Sequence, residues 1–348
     1  MTAYPRLPRY LAAAYTLLAL YGSLYPFVGW RDTGVDALAF LDAGWPRYVT
    51  TFDLVANGLA YLPFGFLWAT VLAARRPAAA VLAITLAAGG LFSLGVETAQ
   101  NFLPSRVPSN LDLACNTAGV LFGSLAGLRW GRELLDGGRL HRWRVRHVLD
   151  GVAGDRGLLL VALWGISQLN PETFLFGNGN LRSLFGLPAA LEFQAGRFIE
   201  LEMATVAAQT VAICLLGHRL AVRHPLHWSL GLLVAALAVK SFALMLLMNG
   251  VQGFAWLTPG TLGGLGLGLV LWLATLRRAA GEQAALAAMA LMLATVLANL
   301  MPDNPYLENT LSVWQQGHFL NFNGLTRLIS SLWPFFALPW LMSARKDA

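Results

Sequence analysis

About ten runs of mostly apolar residues recur along this 348-residue chain, near 10–29, 54–74, 79–97, 112–130, 157–170, 199–217, 228–248, 257–276, 284–301 and 324–343. A bilayer core about 30 Å thick needs about 20 such residues per helix, and lipid leaves no water to satisfy an exposed backbone. The runs therefore specify an all-α, polytopic transmembrane helical bundle. The fifth run is short. The first has no small-residue cleavage site behind it and reads as an uncleaved span rather than a signal peptide. Charged residues make up 12% of the chain, against roughly 25% in soluble proteins. The low charge also excludes disorder, and two cysteines are too few for a disulfide-stapled secreted domain.

The distribution of the charges gives an orientation. Arg6 and Arg9, Arg75 and Arg76, the arginines from Arg129 to Arg156, Arg219 and Arg223, Arg277 and Arg278, and Arg345 with Lys346 all fall on one side. The other side holds Arg31, Arg47, Arg106, Arg182, Arg197 and Arg327 against about twice as many acids. The positive-inside rule then predicts that both termini lie in the cytoplasm. The net charge of +6 becomes a topology signal, with membrane lipids as the partner and no nucleic acid.

Three regions follow: a four-span domain over residues 1–130, a basic cytoplasmic loop over 131–156, and a six-span region over 157–348. The basic loop reads as solvated. At a shift of about 144 residues, NTAGVLFG from Asn116 lies on GTLGGLGL from Gly260, which suggests two parallel four-span repeats plus two C-terminal spans. A similar shift lays FLFGNGNLR at Phe174 on FLNFNGLTR at Phe319, both read as structured external loops.

Ionisable and amide side chains in apolar spans mark functional candidates. In span two, Asp53, Asn57 and Tyr61 are four residues apart and share a helix face, above Pro63 and Gly65, which favour a kink. Span three closes with Glu97, Gln100 and Asn101. Span four opens on Ser109 or Asn110 as N-cap, with Asp112 and Asn116 four apart, then Gly119, Gly123 and Gly127, a doubled GxxxG that admits a neighbouring backbone. Each cluster lies at the outer end of its helix. A bundle brings Asp53, Glu97 and Asp112 to one depth beside Arg106, which can satisfy one carboxylate and leaves at least one unbalanced.

These residues carry a resemblance. D-x-x-x-N-x-x-x-Y-x-P-x-G from Asp53 to Gly65, E-x-x-Q-x-x-x-P-x-R from Glu97 to Arg106, and D-x-x-x-N-x-x-G-x-x-x-G from Asp112 to Gly123 resemble the VanZ-like family of bacterial membrane proteins, over roughly residues 10 to 130. The resemblance implies a helical envelope protein whose name-giving relative is associated with resistance to the glycopeptide teicoplanin. It implies no agreed reaction. The second half departs from the family's four-span unit and lacks the acidic motif.

The expected function is binding of an amphiphile (lipid, lipid-linked wall precursor or glycopeptide) at Asp53, Asn57, Tyr61, Glu97, Gln100, Arg106, Asp112 and Asn116. A membrane enzyme using Glu97 or Asp112 as general acid or base is the alternative, with a divalent cation held by carboxylates and Asn116 as one version of it. A transporter is a further reading. No resident metal or other cofactor is expected. Lys240, in mid-span, calls for a partner, with Glu200 and Glu202 as the nearest counter-ions. Cys115 and Cys214 read as packing residues, and Val35–Tyr48 as an amphipathic stretch lying in the outer interface.

Overall fold

The computed structural model describes residues 7–44, 51–135, 137–247, 253–305 and 320–343, apart from the side chains of Phe52, Asp53, Leu247, Leu320 and Asn321. Among these residues the regular structure is helical, with a lone bridge between Val148 and Ala221. The chain divides into two compact units, Met1–Val145 and Arg146–Ala348.

The first unit holds α1 (Leu7–Leu24), α2 (Thr51–Leu72), α3 (Ala78–Gln100) and α4 (Asn110–Leu135). Helices α2 and α4 form its most extensive pair, and the cause is glycine. A Cβ on Gly119, Gly123 or Gly127 would strike the carbonyl of Gly58, Leu62 or Phe66, and one on Gly65 would strike that of Val120. The two backbones thus touch along several turns, as the doubled GxxxG predicts. Helix α2 is continuous through Pro63. Tyr61, Phe64 and Val120 form a small core against Tyr15, Trp68, Leu86 and Phe92.

Helix α5 (Arg139–His147) crosses from the first unit into the second. The expected basic loop is thus largely helical, and no residue of α5 is buried. Turn residues and a short 3-10 turn at Ala39–Leu41 stand where Val35–Tyr48 was expected to lie as an amphipathic segment, of which Trp45 to Tyr48 fall outside the described residues.

The second unit contains α6 (Gly151–Ser167), the short α7 (Leu181–Leu184), α8 (Ala195–Leu220), α9 (Pro225–Leu247), α10 (Pro259–Thr275), α11 (Ala280–Leu300) and α12 (Leu320–Ser343). Its centre is α8, buried continuously from Thr205 to Leu216 and packed by α9, α10 and α11. Gly264 and Gly268 let α10 close on Met203, Val206, Ala207 and Thr210 of α8. Trp164, Trp272 and Trp333 fill the largest core volumes.

Six helices combine the length and hydropathy needed to cross a membrane: α2, α3, α4, α8, α9 and α11. The sequence reading expected about ten spans. Helices α6 and α10 have 17 residues each, about 26 Å at 1.5 Å per residue and short of a 30 Å core. Helix α12 carries Asn323, Thr326, Arg327, Ser330 and Ser331 in its first half, which lowers its hydropathy. The six long apolar helices by themselves suit a multi-pass membrane protein.

Candidate functional site

At the N-terminal ends of α2 and α4 and the C-terminal end of α3 the polar residues form two layers. The four-residue spacing dictates this, because Asn57 and Tyr61 on α2, Ser93 and Glu97 on α3, and Asp112 and Asn116 on α4 each stack one turn apart. In the outer layer the Asn57 amide donates to Asp112 Oδ1 at 2.7 Å. There the buried Glu97 accepts from the Ser109 backbone N–H at 3.0 Å. In the inner layer the Asn116 amide donates to Ser93 Oγ at 3.0 Å. The Tyr61 hydroxyl lies beside Ser93, Ser23 and Glu97 without the alignment of a hydrogen bond.

Ser109 caps α4: its Oγ accepts from Leu111 N at 3.2 Å and Asp112 N at 3.3 Å. One residue therefore starts the helix and presents its own N–H to Glu97. Ser109→Ala is expected to cost about 1 kcal/mol, read as a lower melting temperature in detergent, whereas Ser109→Asn retains most of it. Equal loss in both variants would refute the capping role.

Arg106 sits on the α3–α4 turn within electrostatic reach of Glu97. Its Nη2 donates to the Tyr25 carbonyl at 2.6 Å. Gln100 Nε2 likewise donates to the Ser23 carbonyl at 2.9 Å. The guanidinium was expected to satisfy a carboxylate bidentately. Among the described residues it instead anchors the end of α1, because that chain end offers carbonyls no helix uses. Burial lowers the Arg106 pKa from the ordinary guanidinium value, opposed by the Glu97 charge.

Seven of the eight expected residues, namely Asn57, Tyr61, Glu97, Gln100, Arg106, Asp112 and Asn116, thus meet at one end of the four-helix unit or tie α1 to it. The eighth, Asp53, stands one turn above Asn57, and its side chain lies outside the described residues. Sequence reasoning missed Ser93, whose only signal was its position four residues before Glu97. Three polar atoms here are buried without a partner: Tyr61 Oη, Asn116 Oδ1 and Arg106 Nε. No grouping of three or more His, Cys, Asp or Glu side chains suited to a metal occurs among the described residues.

The second unit holds a further polar locus, where Lys240 meets the segment expected to be a structured loop. The segment after α6 is irregular yet buried at Asn170, Pro171 and Leu175 to Gly179. Lys240 Nζ donates to the carbonyls of Asn170 at 2.5 Å and Thr173 at 2.6 Å. It does not pair with Glu200 or Glu202; Glu202 accepts instead from Thr258 and Thr261 hydroxyls. Backbone carbonyls win because a buried irregular loop leaves them unmatched. Asn178 donates to Ser167 and Ser330, Asn299 donates to the Gly179 carbonyl, and Arg182 pairs with Asp303 at 2.7 Å. Burial raises the Glu172 carboxyl above its ordinary pKa, opposed by the Arg327 charge.

No curated protein and no solved structure matches the chain. Residues 11–130 match the family model described as VanZ/LLP1, a stretch that covers the layered polar site and the glycine-packed helices beneath it. The chain's similarity to the VanZ-like family thus lies in this four-helix unit.

Proposed function

We propose that the first unit binds an amphiphile (a membrane lipid, a lipid-linked wall precursor or a glycopeptide) in the outer leaflet of the bacterial cytoplasmic membrane, with glycopeptide tolerance as the cellular outcome. The observation that carries this reading is the pair of orphaned polar atoms, Tyr61 Oη and Asn116 Oδ1, on side chains only 5% and 3% exposed. Buried polar atoms are normally matched. Exposed Val55 and Leu59 on α2, at the height of Asn57, supply an apolar flank for acyl chains. A head group in the layers and tails along the lipid-facing helix suit an amphiphile better than a soluble solute.

The outward placement rests on the charge bias, which also supports cytoplasmic termini and passage of the shorter helices through the bilayer. The two-repeat reading is supported by internal packing, since Gly-lined α10 closes on α8 in its unit as Gly-lined α4 closes on α2 in the other. Expression of the wild-type chain in a susceptible host is expected to raise the teicoplanin concentration needed to stop growth. Glu97→Gln and Arg106→Ala are expected to abolish that rise while membrane levels of the protein persist. Wild-type tolerance in both variants would overturn the reading.

A further inference from the structure

We propose that a groove along the first half of α9 seats one anionic phospholipid, its phosphate at the α8–α9 turn and an acyl chain over Gly231 and Ala235. The site belongs to the second unit and is separate from the amphiphile proposed for the first. The groove has a volume of about 650 Å³ and is lined by His224, His227, Trp228, Gly231, Leu232 and Ala235. These residues recur at three- and four-residue steps, so they form a stripe down one helix face. From His224 to Ala235 the stripe is about 16 Å long at 1.5 Å per residue, close to half of a roughly 30 Å hydrocarbon core. The groove thus has the depth of one leaflet.

Polarity runs along it in the order a lipid requires. Gly231 and Ala235 are exposed, and a Cβ on Gly231 would meet nothing within 4 Å. Helix α9 is one of the six long apolar helices, so a small-residue surface on it faces acyl chains. Leu232 and Trp228 add apolar walls. At the other end, exposed Arg223, His224 and His227 gather donors. The two imidazoles meet edge-on with centroids 5.8 Å apart, and an imidazole offers at least one N–H in either protonation state. In the last turn of α8, Arg219 keeps a buried Nη1 without a partner. His224 holds φ +51°, a left-handed backbone that glycine would adopt at no steric cost. Its ring is exposed, so burial does not account for a histidine there. A soluble anion would use the donors and leave the apolar floor empty. The arginines favour a head group without a compensating ammonium.

The test is native mass spectrometry of the purified full-length protein offered equimolar phosphatidylglycerol and phosphatidylcholine of identical acyl chains. Wild type is expected to retain phosphatidylglycerol about tenfold over phosphatidylcholine, the order that two arginines at a bilayer surface contribute. Two variants separate this groove from the chain's other basic surfaces. Gly231→Leu fills the floor without altering charge, and His224→Gly removes an imidazole while relieving the backbone, so neither is expected to lower the melting temperature in detergent. Each is expected to lose one retained phosphatidylglycerol per chain, and Arg223→Gln is expected to cut the preference about fivefold. Inorganic phosphate in tenfold excess, offered to the unaltered protein, is expected to leave the lipid bound. Wild-type retention in either Gly231→Leu or His224→Gly overturns the site. Displacement by phosphate overturns the lipid as occupant, equal retention of phosphatidylcholine by wild type overturns the anionic assignment, and retention of neither lipid overturns both.

Discussion

Gly123→Ala is expected to destabilise the first unit by about 1–3 kcal/mol, whereas Gly95→Ala, the same substitution on a neighbouring helix, is expected to stabilise it by about 0.5–1 kcal/mol. At both positions alanine improves helix propensity. The difference is what the new methyl meets. At Gly95 nothing lies within 4 Å. At Gly123 the methyl falls on the Leu62 carbonyl and near Phe66 N, and backbone cannot rotate aside as a side chain can. The helices must separate, and the Asn57–Asp112 bond rides on the same pair. The Gly119→Ala/Gly123→Ala double variant is expected to lose more than either single change, because both methyls push on α2 from one face. Thermal unfolding in detergent measures all four proteins. A Gly123→Ala protein as stable as wild type would show that α2 and α4 are not in backbone contact.

The glycine contact was legible because it has a periodic signature. Residues Gly119, Gly123 and Gly127 fall every fourth position, and a helix places every fourth residue on one face. The same periodicity exposed Asn57/Tyr61 and Asp112/Asn116. It could not show which helix would face which, and so gave no notice that Asn116 meets Ser93 or that Tyr61 lies beside it. Arg106 was misassigned for a related reason: formal charge suggests a carboxylate partner, while the orphaned carbonyls at the end of α1 have no letter in the sequence. Helix ends were the least legible. Helix α6 begins at Gly151, before the apolar run at 157, because its first turns carry Gly154 and the buried Asp155 that hydropathy counts as polar. The burial of the loop after α6 and the helicity of α5 escaped because composition records polarity and not backbone path.

Lys240→Met is expected to loosen the segment from Gln168 to Asn180 and to lower the stability of the second unit by about 2 kcal/mol. Two effects oppose each other. Removing a buried ammonium relieves a desolvation cost of several kcal/mol. Against that, the carbonyls of Asn170 and Thr173 each lose a donor, at about 1–3 kcal/mol apiece, and no water is at hand in a site where Lys240 is 2% exposed. The loss dominates because the ammonium is held by two short hydrogen bonds, 2.5 and 2.6 Å, which offset much of its desolvation, whereas methionine fills the volume and bonds neither oxygen. The damage should spread along the loop, since the same segment ends in the Asn178–Ser330 and Gly179–Asn299 contacts. Hydrogen exchange over residues 168–180 is expected to rise at least tenfold in Lys240→Met, and to rise less in Lys240→Arg, which keeps donors in reach. Unchanged exchange in Lys240→Met would mean that the loop holds its path without the ammonium and that Asn178 and Asn299 suffice to anchor it.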